Sequence, residues 1–266
     1  MSAPSPPDIL LRIAARRRER YGVAPGEHIV PASPGPGGRA QGNALCAALA
    51  AQRGRAVIAE VKMGSPKLGS LVGSFDPVEQ ARTYARSGAA ALSVVVEPDF
   101  FHGSYDLLYQ CRRASGLPAI AKDFVVSSRQ LAEAREAGAS AVLLIAALYE
   151  APTLRAYAGE ARRLGLVPLI ETHDTADLAK LEGSLWELVG VNNRDLHTFR
   201  VDLDHSIDLL DRLPTEALKV AESGIHSSED VERLRDAGFD AFLIGESLIT
   251  AQDPAAKLVE LVGVPS

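Results

Sequence analysis

Ser128–Ile145 reads SRQLAEAREAGASAVLLI, and Ser228–Ile244 reads SEDVERLRDAGFDAFLI. Each opens with an amphipathic stretch whose apolar residues recur at helical spacing, passes through a glycine, and ends in a short apolar run without alternation. A glycine that stops a helix directly before a buried strand marks an αβ turn. A strand that is apolar on both faces is covered on both faces, as parallel strands are.

The same pattern extends outward from these two stretches. Ser87-Gly88-Ala89 repeats the punctuation of Ala137-Gly138-Ala139 and Ala237-Gly238-Phe239. Short apolar runs fall at Val57–Val61, Ala91–Val96, Ala119–Ala121, Ala141–Ile145, Val167–Ile170, Leu188–Val191, Leu218–Ala221 and Ala241–Ile244. Helical stretches separate them, among them Pro77–Ser87, Pro152–Leu164 and Thr175–Leu181. Eight strand–helix units predict an α/β fold of the closed (β/α)8 TIM-barrel type, which about 250 residues can build as one domain. A doubly wound open sheet is the alternative. It uses fewer strands and carries a glycine-rich fingerprint after its first, and neither G-x-G-x-x-G nor a Walker sequence is present. Nucleotide cofactors are therefore not expected, and no other cofactor is indicated.

Ahead of the first strand, a helix over Asp8–Tyr21, a Pro- and Gly-rich loop over Gly22–Gly38 and a short helix over Asn43–Gln52 are expected. The reading is one domain over residues 1–266, with residues 1–55 as an N-terminal helical extension covering the barrel. No apolar run is long enough to span a membrane, and Met1–Ile13 lacks the order of a signal peptide. With 28 basic against 34 acidic residues the net charge is -6, which gives no general attraction to nucleic acid. Arg16, Arg17, Arg18 and Arg20, interrupted by Glu19, read as a solvated helix face. Cys46 and Cys111 are too few for a secreted scaffold and lack metal-ligand spacing, so they read as reduced thiols of a cytoplasmic protein. The histidines form no H-E-x-x-H or H-x-H pattern, and no metal is expected. His173, two residues after Glu171, is the one histidine placed to matter.

Polar residues gather where the strands end. In Ile58-Ala59-Glu60-Val61-Lys62, a period of two puts Glu60 and Lys62 on one side, toward the barrel axis. Taken alone, that pair reads first as a structural ion pair. Lys122-Asp123 follows the third strand, Glu171 the fifth, Asn192-Asn193-Arg194 the sixth and Glu222-Ser223 the seventh. Five such ends on one face match the place where this architecture carries its chemistry. Ser223-Gly224-Ile225 and Ile244-Gly245-Glu246-Ser247, the latter ahead of a short helix over Ser247–Thr250, are suited to cradle a phosphate with backbone amides. The Glu246 side chain is expected to face solvent. A small sugar phosphate is the expected partner, and the chain can be a monomer or a homo-oligomer.

These residues, together with Ser65-Pro66, Phe100-Phe101-His102-Gly103-Ser104, Ala121-Lys122-Asp123-Phe124 and Gly190-Val191-Asn192-Asn193-Arg194-Asp195-Leu196, carry a resemblance to the indole-3-glycerol-phosphate synthase family from about Leu10 to Leu261. The resemblance implies a lyase of tryptophan biosynthesis. Its reaction closes the ring of 1-(2-carboxyphenylamino)-1-deoxyribulose 5-phosphate with loss of carbon dioxide and water. Carried over by position, Lys122 looks like the general acid of ring closure and Glu171 like the stabiliser of the positive charge that develops. Lys62 looks like the acid and Glu60 the base of dehydration, Asn192 and Arg194 like polar substrate contacts, and Ser223 like a positioning residue. Ser65, Gly224, Gly245 and the Glu246 amide match a phosphate grip, and Glu97 a supporting contact.

The chain departs from the family pattern at Met63, Gly64, Lys67 and Ala121 and in the Gly22–Gly38 loop. Those departures leave room for a secondary-metabolism relative that closes the same ring on a substituted anthranilate. A non-catalytic phosphate-binding barrel would be expected to have lost its acid–base positions, yet Glu60, Lys62, Lys122 and Glu171 are all present. Phosphoribosyl isomerisation would favour paired aspartates at strand ends instead.

Overall fold

Eight strands, β1 (Ala56–Val61), β2 (Ala91–Val95), β3 (Ala119–Lys122), β4 (Ala141–Ile145), β5 (Val167–Thr172), β6 (Leu188–Asn192), β7 (Leu218–Glu222) and β8 (Ala241–Ile244), close into a barrel in the computed structural model. Each strand is parallel to both neighbours, and β1 closes the ring against β8 and β2. The structure describes residues 8–30, 42–66, 69–195, 198 and 200–263. Part of the Gly22–Gly38 loop, Lys67 and Leu196 lie outside these.

The strands occupy the eight apolar runs because nearly all of their residues are buried, on the axis side as well as under the helices. Gly88, Gly138 and Gly238 take positive φ where the preceding helices stop, as the punctuation predicted. At the other ends, side chains of Asp76, Ser104, Ser127, Asp174 and Ser227 cap the first helical turns. Capping fixes where each strand-to-helix loop hands over to its helix. Such loops frame the mouth at the C-terminal ends of the strands, so local sequence sets the rim on which the polar residues stand.

Two features near the rim were not expected. Gly64–Ser65 and Gly69–Ser70 pair as a small antiparallel hairpin after β1. The short helix after β8 runs over Glu246–Ile249 and is capped by Gly245, one residue earlier than the spacing suggested.

The N-terminal helix α1 spans Asp8–Tyr21, as predicted, but only Arg16 and Arg20 of its basic cluster form a solvated face. Arg17 and Arg18 are buried at 3% and 9% exposure. Arg17 donates to Asp123 Oδ2 at 2.5 Å, the atom that also accepts from Tyr105 Oη at 2.9 Å and Gln130 Nε2 at 2.8 Å. Burial opposes the charge on Arg17, and the Asp123 carboxylate more than reverses that, so the guanidinium stays charged. Arg20 forks onto Asp99 at 2.7 and 2.8 Å from the exposed side. With Leu10 and Ile13 turned inward, these pairs pin α1 across the barrel. Among the described residues, no helix is long and apolar enough to cross a membrane.

Candidate active site

A cavity of about 230 Å³ opens at the C-terminal ends of the strands, under α1. Glu60, Lys62, Ser65, Lys122, Glu171, Asn192, Arg194, Ser223, Gly224, Gly245 and Glu246 all line it, as does Glu222. Every residue expected at the site therefore meets there except Glu97.

Lys122, at the end of β3, stands at the centre. Its Nζ lies 3.3 Å from Glu222 Oε2, 3.6 Å from Glu60 Oε2 and 3.8 Å from Glu171 Oε2. Lys62 Nζ donates to Glu60 Oε1 at 2.9 Å, so the Glu60–Lys62 spacing does place both side chains together on the axis side. Asn192 Nδ2 donates to Glu171 Oε1 at 3.2 Å. Removing one member of such a buried set leaves an uncompensated charge, which costs about 3–5 kcal/mol.

Protonation follows from this arrangement. Burial opposes the charge on Lys122, yet the carboxylates of Glu222, Glu60 and Glu171 lift its pKa above the ordinary lysine value, so it is an ammonium ready to donate. Burial likewise works against ionised Glu60, and Lys62 and Lys122 reverse it, holding Glu60 below the usual carboxylate range. Glu171 is also held low despite burial, by His173, Lys122 and Asn192. Glu222 moves the other way. Its burial, reinforced by the charge of Glu171, lifts it to about 7 against the pull of Lys122. Of Glu171 and Glu222, Glu222 is the one that takes up a proton first as pH falls.

Two glycines make room for these carboxylates. A methyl group at Gly190 would collide with Glu222 Oε1, and one at Gly245 with Glu60 Oε1. The glycine before Asn192 and the glycine after β8 thus serve the acid–base cluster sterically.

The far ends of the cavity differ in kind. On one side Ser223 and Gly224 hold consecutive positive φ angles of 66° and 81°, a strained turn for serine that reorients the backbone after β7. A side chain at Gly224 would also strike Val201. Ser247 Oγ donates to the Ile225 carbonyl at 2.9 Å and joins this loop to the one after β8. Arg194 Nη2 reaches Glu246 Oε2 at 2.9 Å, so the Glu246 side chain is paired and not turned to solvent. An opposing guanidinium within reach outweighs full hydration of that carboxylate. Backbone amides and one arginine at this end suit an anion such as phosphate. Across the barrel, Phe101 after β2, Phe124 after β3 and Leu143 of β4 line the cavity together with Ile9 and Ile13 of α1, an apolar slot. Phe101 and Phe124 stack with centroids 6.0 Å apart.

Glu97 is corrected by its surroundings. It is fully buried and accepts the backbone N–H groups of Asp99, Phe100 and Phe101 at 2.9, 2.7 and 3.1 Å. The side-chain oxygens below this turn satisfy those amides, so Glu97 supports the backbone that carries Phe101 to the cavity and does not line it. Glu222 is the converse, a strand-end residue seen in the sequence and assigned no role. Its signal was its place beside Asn192, with which it is in register on the neighbouring strand. Met63 and Gly64 do not line the cavity.

A parallel barrel carrying an acid–base cluster between an apolar slot and an anion-binding end defines an enzyme of the barrel class acting on a phosphorylated substrate. Within that class the chain belongs to the indole-3-glycerol phosphate synthase family, whose model matches residues 38–261. It is 46% identical over 80% of its length to the indole-3-glycerol phosphate synthase of Koribacter versatilis, covering 82% of that protein. The corresponding protein of Polaromonas naphthalenivorans is 43% identical over 78% of this chain and 79% of its own. Among solved structures, 3-hexulose-6-phosphate synthase from Salmonella typhimurium superposes with a TM-score of 0.62 at 15% identity, over 78% of this chain and 96% of that one. Thiamine phosphate pyrophosphorylase from Pyrococcus furiosus gives 0.58, also at 15%, over 79% and 95%. At that identity the two structures speak to the fold alone.

Proposed function

We propose that this chain closes the indole ring of 1-(2-carboxyphenylamino)-1-deoxyribulose 5-phosphate to give indole-3-glycerol phosphate, carbon dioxide and water. One observation carries the reading: the Lys122 ammonium, within 4 Å of Glu60, Glu171 and Glu222, sits between apolar side chains and an anion-binding end in a single cavity.

The chemistry needs those parts in that order. The ring carbon bearing the carboxylate attacks the ribulosyl ketone, and the forming alkoxide takes a proton from the Lys122 ammonium. Attack breaks aromaticity and leaves positive charge on the anilino nitrogen side, which ionised Glu171 stabilises. Loss of carbon dioxide returns the electron pair to the ring. Dehydration then expels the hydroxyl as water with a proton from Lys62, while Glu60 accepts the ring-side proton. Asn192 orients Glu171 and substrate hydroxyls, and Ser223 and Arg194 position the phosphorylated end. Gly224, Gly245, Ser65 and the Glu246 amide take the phosphate.

The chain is proposed to work as one domain, with residues 1–55 covering the mouth. A cytoplasmic setting belongs to the same reading, since Cys46 and Cys111 are free thiols and suit a reducing compartment. Incubating purified protein with the carboxyphenylamino substrate and following indole fluorescence tests the proposal. Stoichiometric indole-3-glycerol phosphate and carbon dioxide are expected, and no gain of indole-ring fluorescence at high enzyme concentration contradicts it.

A further inference from the structure

Glu171 and Glu222 flank the same lysine, are equally buried, and still hold their protons differently. Something other than Lys122 must separate them, and the difference lies behind Glu171. His173 Nε2 stands 3.2 Å from Glu171 Oε1, on the side away from the cavity, and its Nδ1 stands 3.5 Å from Asp177 Oδ2. Each ring nitrogen thus meets a carboxylate at ion-pair distance, one on either side of the imidazole. No second cation of this kind stands behind Glu222 among the described residues, and its Oε1 has no hydrogen-bond partner.

The ring is itself held in place. The His173 backbone N–H donates to Asp177 Oδ2 at 3.1 Å, and the imidazole Nε2 of His205, from the helix Leu203–Leu209, lies 2.5 Å from the His173 carbonyl. Asp177 is pinned in turn, since Lys180 Nζ donates to its Oδ1 at 3.0 Å and to the Ala146 carbonyl at 2.8 Å. Asp177 also caps onto Asp174 through its own N–H at 2.8 Å. From Lys180 inward the charges alternate: Lys180, Asp177, His173, Glu171, Lys122.

We propose that His173 is a positioning residue for the ring closure assigned above, a buried cation that Asp177 holds behind Glu171 so that Glu171 stays ionised while Glu222 takes up a proton first as pH falls. The inference rests on that functional reading only through Glu171. His173 does not line the cavity and touches no substrate atom. Burial opposes its charge, and the carboxylates of Asp177 and Glu171 more than reverse that, lifting it to about 10. The titratable and charged groups around it are Glu171 from β5, Asp177 and Lys180 from the helix Thr175–Ala179 and its cap, His205 from the helix Leu203–Leu209, and Lys122 and Glu222 beyond Glu171.

His173→Gln keeps a side-chain donor and removes the charge. The acidic limb of its kcat/KM profile is expected to move up by about one pH unit, so that activity fails at an acidic pH where the parent protein keeps it, with kcat near neutrality and KM each changed less than about 2-fold. Equal loss at every pH with an unmoved limb would show a merely structural role and overturn the inference. Asp177→Asn supplies the second variant. There the His173 ring should give up its proton at a lower pH than in the parent protein, read by its nitrogen-15 shift, and a ring titration that does not move counts against the proposal. A nitrogen-15 titration of the His173 ring in the unaltered protein reads the charge without turnover. An imidazolium persisting to about pH 8 supports the arrangement, and a neutral ring at pH 7 ends it. Should the unaltered protein close no ring, the proposed function falls, and the ring titration still decides whether His173 is the cation behind Glu171.

Discussion

The two ends of the cavity are built from different materials. At the anion end the contacts come from backbone turns at Ser223-Gly224 and Gly245, each set by a neighbouring strand end and fixed by local chain geometry. At the apolar end they come from side chains, and two of them, Ile9 and Ile13, belong to a helix that only tertiary pairs hold over the barrel. A backbone-built site fails sharply when its one permitted conformation is lost. A side-chain-built site fails by degrees, and through the stability of the elements that carry it.

The sharpest break is expected at Gly224. Gly224→Ala forces a side chain into a positive-φ position and against Val201, where strain of roughly 1–3 kcal/mol adds to the collision. Inorganic phosphate affinity, followed by calorimetry, should fall about 10²-fold, and the melting temperature should fall with it because the strain resides in the folded state. Equal phosphate binding in the variant would mean that the backbone turn is not the anion site.

At the other end, Arg17→Met removes the buried partner of Asp123. Denaturant unfolding should show a loss of about 3 kcal/mol, with KM for the aryl substrate raised and phosphate binding preserved. If phosphate binding weakens as much as aryl binding, the two ends are not separable in the way their construction suggests.

The smallest effect concerns the cluster between them. Glu222 has its folded pKa raised to about 7, so the folded state holds a proton that the unfolded chain releases at lower pH. Its ionisation therefore lowers stability as pH climbs from the ordinary carboxylate range through about 7. Glu222→Gln removes that dependence. The melting temperature of the variant, relative to its parent, should be higher at about pH 8 than at about pH 5, and the reverse ordering would contradict the assigned proton.

How much of this could be read beforehand depended on distance along the chain. The barrel was legible because each helix–glycine–strand unit is a local signal, and Glu60, Lys122 and Glu171 were legible because charged residues end otherwise apolar runs. Arg17 was misread because a basic cluster on a helix looks solvated until Asp123, 106 residues later, is placed beside it. Glu222 was noticed only as a strand-end polar residue, since its effect on Lys122 spans 100 positions. Glu97 resembled a ligand contact, but its carboxylate turns back to the amides two to four residues ahead, a choice that residue type alone does not decide.

The central claim is that Lys122 performs the chemistry in a cavity whose anion end binds independently of it. Lys122→Met keeps the length of the stem and removes the proton donor. Turnover of the carboxyphenylamino substrate should fall about 10³-fold while phosphate affinity stays within about 2-fold of the parent. Turnover within 10-fold of the parent would contradict the account.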